Sequence, residues 1–121
     1  MTEIEGPLHV AVLVTELSKA EAFYGGVLGL KKAVRPMEFP GVWYQVGTFQ
    51  IHLIVASGQQ TSLPNAEKWG RNPHMAFAVS SLEAVKARLL AADCPIQMSA
   101  SGRTALFAQD PDGNVIELSQ A

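Results

Sequence analysis

Leu8-His9-Val10-Ala11-Val12-Leu13-Val14 and, 65 residues further on, Pro73-His74-Met75-Ala76-Phe77-Ala78-Val79 are two readings of one short β-rich phrase. Each places a histidine at its second position. The same 65-residue step carries His52 onto Glu117, within Gln50-Ile51-His52-Leu53 and Val115-Ile116-Glu117-Leu118. It also superposes Ala11 on Ala76, Val14 on Val79, Leu17 on Leu82 and Ala22 on Ala87. Matches at the start and end of each half imply a duplicated supersecondary unit, and such a repeat has to be recognised before a fold is assigned.

The intervening sequence fills in the unit. Thr15 to Ser18 offers capping side chains ahead of a helix predicted over Leu17–Val27, with Ala20, Phe23, Tyr24, Val27 and Leu28 on one face and glycines at its end. Strands follow at Lys31–Arg35, Val42–Val46 and Gln50–Val55, the last two joined by a turn at Gly47-Thr48. The second half repeats the order. A strand at His74–Val79 precedes a cap at Ser80 or Ser81 and a helix over Leu82–Ala92 with Leu82, Val85, Leu89 and Leu90 inward. Strands at Ile96–Met98, Thr104–Gln109 and Asn114–Leu118 complete it, and Asp110-Pro111-Asp112-Gly113-Asn114 makes the final turn. The chain is thus predicted to be α+β, one domain over 1–121 built from two tandem βαβββ modules. Module one covers about 7–56 and module two about 73–119, with a linker at about 57–72.

At 121 residues the chain can bury one core but not two independent ones, so the modules must share it. A net charge of −2 without a Lys/Arg cluster gives no footprint for nucleic acid. No 18-residue apolar stretch is present, and the acidic N-terminal residues Glu3 and Glu5 do not suit a secretion signal, so a cytoplasmic protein without a membrane partner is expected. Cys94 is the sole cysteine and reads as a packing residue.

Alternation along a strand puts His9 on one face with Ala11 and Leu13, and His74 with Ala76 and Ala78. His52 and Glu117 each project from a strand whose other side is apolar. If a pseudo-twofold relates the modules, a curved mixed sheet encloses a metal-binding cleft in which His9, His52, His74 and Glu117 converge. Three imidazoles and a carboxylate suit Fe, Zn, Ni, Co or Mn and leave positions open for water or substrate. Trp43, Tyr44 and Phe107 are candidates for the wall of the cleft, and Arg71 for an anionic substrate group.

Leu8-His9-Val10-Ala11-Val12, Ala22-Phe23-Tyr24 with Val27-Leu28-Gly29-Leu30, and Asp110 through Leu118 together resemble the vicinal oxygen chelate superfamily, which includes glyoxalase I, extradiol dioxygenases, fosfomycin-resistance enzymes and metal-free bleomycin-binding proteins. The resemblance implies a divalent transition metal on His9, His52, His74 and Glu117. It also implies a small oxygen-rich substrate whose enediolate-like or catecholate-like charge the metal stabilises, by lyase, isomerase or ring-cleaving dioxygenase chemistry; proximity to that metal makes His52 or Glu117, released from it, the candidate base. Glyoxalase-like members carry Glu where His52 stands. The His9, His74 and Glu117 subset is similar to the two-histidine, one-carboxylate site of the dioxygenases. Arg35, Arg71 and Arg103 look scattered rather than clustered for a phosphonate. The alternative implied by the same family is a drug-sequestering binding protein without turnover. Exposed sheet edges favour a homodimer in either case.

Overall fold

The computed structural model describes all residues except 1, 37, 39, 57 and 59–62, so the expected 57–72 linker lies partly outside the described residues. The described elements are β1 (His9–Val14), α1 (Leu17–Glu21, continuing as a π-helix over Ala22–Val27), β2 (Lys31–Lys32), β3 (Gly41–Val46) and β4 (Phe49–Val55). After a 3-10 turn at Trp69–Arg71 come β5 (His74–Val79), α2 (Leu82–Ala91), β6 (Ile96–Met98), β7 (Ala105–Gln109) and β8 (Val115–Gln120). The expected α+β architecture of two βαβββ units is present.

Each unit forms its own four-stranded sheet, ordered β1-β4-β3-β2 and β5-β8-β7-β6. The first strand of each runs parallel to the last, pairing His9 with Gln50 and Ala11 with His52 in one sheet, and His74 with Val115 and Ala76 with Glu117 in the other. The 65-residue step is therefore preserved in hydrogen-bond register as well as in residue type. β1 and β5 are the sheet edges that approach each other. Val10–Leu13 and Pro73–Met75 line a cavity of about 410 Å³ between them.

Strand alternation separates two faces in each sheet. Val12, Val14, Ile51, Leu53, Leu106, Ala108, Ile116 and Leu118 turn inward and join Phe23, Tyr24, Leu82, Val85 and Leu89 of the helices in one core. His9, Ala11, Leu13, His74, Ala76 and Ala78 stay on exposed faces. Two expectations need correction here. Leu90 is not inward but 52% exposed, because the buried stripe of α2 is already filled by Leu82, Val85 and Leu89. Tyr44 belongs to the core, fully buried, because its position in β3 points toward Tyr24 rather than toward His52.

Helix starts also divide. Ser81 caps α2 as expected, its hydroxyl accepting the Ala84 N–H at 3.2 Å. At α1 the N-cap is Glu16 without a side-chain bond, since Thr15 is recruited elsewhere. Its hydroxyl donates to Asp112 Oδ1 at 2.6 Å and its backbone N–H to Asp112 Oδ2 at 3.1 Å. The helix then widens to a π-helix over Ala22–Val27, within which a Cβ on Gly25 would stand 3.2 Å from the Tyr44 hydroxyl.

The Asp110–Asn114 turn is the clasp between modules. Buried Asp110 accepts the N–H groups of Asp112 and Asn114 on Oδ1, each at 2.9 Å, and the Tyr24 hydroxyl and Asn114 amide on Oδ2 at 2.7 and 2.8 Å. Burial, then the adjacent Asp110, pushes the Tyr24 hydroxyl far above its ordinary pKa, so it remains a donor. Tyr24→Phe leaves that carboxylate with one donor fewer inside the core. The expected loss is about 1–3 kcal/mol in urea unfolding, with little change in the slope; a loss near zero would show that the clasp is not a stabilising bond.

Candidate metal centre

The four expected ligands fall into two pairs. His9 and His52 stand on adjacent strands with ring centroids 4.0 Å apart, and Trp43 stacks on the other side of His52 at 3.9 Å with its plane only 5° away. His52 is 9% exposed. Its Nε2 lies 2.8 Å from Gln50 Oε1, and the Gln50 amide donates onward to Gln45 Oε1 at 2.7 Å. That chain assigns the proton to His52 Nε2 and leaves Nδ1 as the lone pair. Burial, reinforced by His9 and Arg35, lowers the His52 pKa, so the ring is neutral at pH 7.

The second pair is His74 and Glu117. His74 Nδ1 donates to the Asn72 carbonyl at 2.7 Å, which aims Nε2 at Glu117 Oε1, 3.1 Å away. Asn72 is itself buried and locked to the linker by its amide, which donates to the Asn65 and Trp69 carbonyls. A backbone carbonyl holding the far nitrogen of a histidine is the usual means of fixing a metal-ligand tautomer. Glu117 Oε2 accepts from Arg103 at 2.9 Å and Ser119 at 3.1 Å. Burial works to raise the carboxyl pKa, but the bonds from Arg103, His74 and Ser119 outweigh it and hold Glu117 below the ordinary carboxylate value.

The sequence leaves open whether the cleft belongs to one chain or is shared between two copies. Among the described residues, no three of the His, Cys, Asp or Glu side chains lie close enough to hold one ion. The physical reason is that each pair belongs to its own sheet, and no ladder joins β1 to β5. In donor chemistry the residues do fit a borderline divalent ion, with oriented imidazoles, a charged carboxylate and no thiolate. They fit as two half-sites.

The expected wall residues separate in the same way. Trp43 pairs with His52 across the β3–β4 ladder, and Phe107 pairs with Glu117 across β7–β8 while meeting the His74 ring edge-to-face at 5.5 Å. Each half-site therefore has one aromatic at the same station. Tyr44 is excluded by its burial. Arg71 is exposed at the end of the 3-10 turn, and among the described residues no contact ties it to His74 or Glu117. The linker does cover part of the second half-site. Gln97 receives the Trp69 N–H and donates to the Glu67 carbonyl, and a Cβ on Gly70 would stand 2.7 Å from the Phe107 ring. Sequence reasoning missed Gln50, Asn72 and Ser119, each two residues from the side chain it bonds, and Arg103, 14 residues from Glu117. Only Gln50 and Ser119 carried a signal, as polar residues two positions from His52 and Glu117 on the same strand face.

A duplicated βαβββ fold with paired His and Glu donors on its polar sheet faces defines a class of protein. Compared with known families, residues 6–118 match the Glyoxalase/Bleomycin resistance protein/Dioxygenase superfamily, and the chain belongs to it. No curated protein gives a significant match. Among solved structures the chain is similar to a glyoxalase family protein from Bacillus anthracis, with TM-score 0.80 and 25% identity over 99% of this chain and 98% of that one. It is similar in fold to lactoylglutathione lyase from Agrobacterium tumefaciens, with TM-score 0.69 and 21% identity over 99% and 96% of the two chains. It also shares the fold of the fosfomycin resistance protein FosX from Listeria monocytogenes, with TM-score 0.73 and 18% identity over 98% and 94%.

The Glu117 environment sets a sign for acid stability. A carboxyl whose folded pKa is depressed stabilises the fold above its ordinary value, near 4.5, and loses that contribution as pH falls through the folded pKa. Arg103→Met should raise the folded pKa of Glu117, so that stability of the metal-free protein begins to fall at a higher pH. Near neutral pH the cost should be no more than about 1 kcal/mol, because Arg103 is largely solvated. Urea unfolding of both proteins between pH 3 and 7 measures it; superposable pH profiles would contradict the assignment.

Proposed function

We propose that the protein is a metal-dependent enzyme acting on a small substrate with two adjacent oxygens, and that its centre is completed by a second copy of the chain. The observation that carries this reading is the His74–Glu117 pair, already oriented through Asn72 and Arg103 yet lacking further donors among the described residues. His9 and His52 supply the complementary donors on the other sheet. The polar sheet faces carry small side chains, Ala11, Ala76 and Ala78, beside the histidines, which suits close approach of another subunit.

His9, His52, His74 and Glu117 would hold a divalent Fe, Ni, Co, Zn or Mn ion, whose Lewis acidity would stabilise negative charge developing on the substrate oxygens. Of the two candidate bases, His52 is the better placed. It is neutral, and its one lone pair, on Nδ1, would either bind the ion or, once released from it, accept a proton. Glu117 is held as an anion by Arg103 and Ser119 and serves better as a fixed ligand than as a proton acceptor. Phe107 and Trp43 would exclude water from the substrate on either side. The chemistry proposed is of lyase, isomerase or ring-cleaving type.

Shared centres can be detected by mixing variants. Neither the His9→Ala/His52→Ala double variant nor the His74→Ala/Glu117→Ala double variant should retain metal. Unfolded and refolded together, they should recover about one ion per mixed dimer, read by elemental analysis alongside light scattering for the dimer itself. If wild type binds about one ion per chain and the mixture binds none, the shared centre is wrong. If wild type binds none after anaerobic reconstitution, the enzyme reading gives way to a ligand-sequestering protein.

A further inference from the structure

A chain of side-chain amides runs along the first sheet from the β3–β4 turn to His52. Gln45 and Gln50 are cross-strand partners next to that turn. The Gln45 amide nitrogen donates to the Gly47 carbonyl at 2.8 Å and, at 3.4 Å, to the Phe49 carbonyl. The Gln50 amide nitrogen donates to Gln45 Oε1 at 2.7 Å, and Gln50 Oε1 stands 2.8 Å from His52 Nε2. Stacking on His9 and Trp43 fixes the plane of the His52 ring.

The direction of this chain is decided at its far end. A backbone carbonyl can only accept, so the Gln45 nitrogen must face Gly47 and Phe49, and its oxygen must face Gln50. Gln50 then turns its nitrogen to Gln45 and its oxygen to the ring, which demands a proton on His52 Nε2. Reversing both amides would set Gln45 Oε1 against the Gly47 carbonyl, two acceptors with no hydrogen between them. Each amide also polarises the next, so the chain reinforces itself. His74 carries its proton on the other nitrogen, since Nδ1 donates to the Asn72 carbonyl. Among the described residues the second sheet has no equivalent chain: Gln109 there pairs with Val115, whose side chain has no polar atom. The βαβββ plan therefore does not need the amides.

We propose that Gln45 and Gln50 are positioning residues for the metal: the turn carbonyls, acting through both amides, keep the proton on His52 Nε2 and reserve Nδ1 for the ion. This deepens the metalloenzyme reading and rests on it for the role of Nδ1 as a ligand. The position of the proton is a property of the metal-free chain. Gln45 acts without touching the ring.

Two-bond proton–nitrogen spectra of the imidazoles show which ring nitrogen holds the proton. They are recorded on metal-free protein at pH about 9, where histidine is neutral, with His52 assigned by its loss in His52→Ala. Wild type should show the Nε2–H tautomer alone. Gln45→Lys installs a group that only donates, to Gly47 and to Gln50 alike, so Gln50 must turn round and the proton must move to Nδ1. Gln50→Glu added to that variant accepts in either orientation and should return the proton to Nε2. Affinity for Mn²⁺ should follow the tautomer, about tenfold weaker in Gln45→Lys and recovered in the double variant. Should Gln45→Lys not fold, Gln45→Met, which removes only the direction of the chain, should divide the proton between the two nitrogens. A wild-type proton on Nδ1, a folded Gln45 variant with the wild-type tautomer, or metal affinity that ignores the tautomer would overturn the proposal. A wild type that binds no metal overturns the metalloenzyme reading and the ligand role with it, while the spectra still decide whether the amides place the proton.

Discussion

The buried carboxylate of Asp110 is the constraint on which the module pairing depends. A charge taken out of water is costly unless each of its lone pairs is met by a donor, and here four donors meet it. Two come from its own turn backbone, one from the Asn114 side chain and one from Tyr24 in the other module. Asp112, two residues on, takes both donors of Thr15. Asn114 reaches the Leu13 carbonyl at the end of β1. A five-residue turn thereby fixes where α1 and β1 lie relative to β7 and β8, and with them the side on which both sheets present their polar residues.

That placement explains why the core and the site do not compete. The helices take the apolar faces of both sheets, so the histidines and Glu117 are left on the other faces at no cost in core packing. Among the described residues the result is two separate donor pairs rather than one cluster. Each pair has an aromatic beside it, Trp43 or Phe107, and an orienting partner, Gln50 or Asn72. The halves are chemically unequal: one offers two imidazoles in a stack, the other an imidazole and a carboxylate already engaged by Arg103.

Residues related by the 65-residue step were readable because strand periodicity and module register preserve it together. His9, His52, His74 and Glu117 could be placed on a face by that means, and the DPDGN turn by its own chemistry. Arg35 and Arg103 could not. They are 68 residues apart, three out of step with the repeat, and they stand at different points of connections whose lengths differ, next to strands that are themselves offset by 64, as Trp43 and Phe107 are. Tyr44 shows the opposite failure: adjacent to Trp43 in sequence, it falls on the other face of β3 and enters the core. Thr15 was a reasonable helix cap on local grounds, yet Asp112, 97 residues away, binds it instead.

The sequence by itself determined the duplicated βαβββ plan, the turn between β7 and β8, the identity of the donor residues and the face each would occupy. These are local properties, set by alternation, by turn stereochemistry and by the volume of apolar residues. Only the tertiary structure decided that the donors stand in two pairs and which neighbours orient them. Those features depend on how two sheets are set against one core, and no periodicity along a chain encodes the distance between strands that do not share a hydrogen-bonded ladder.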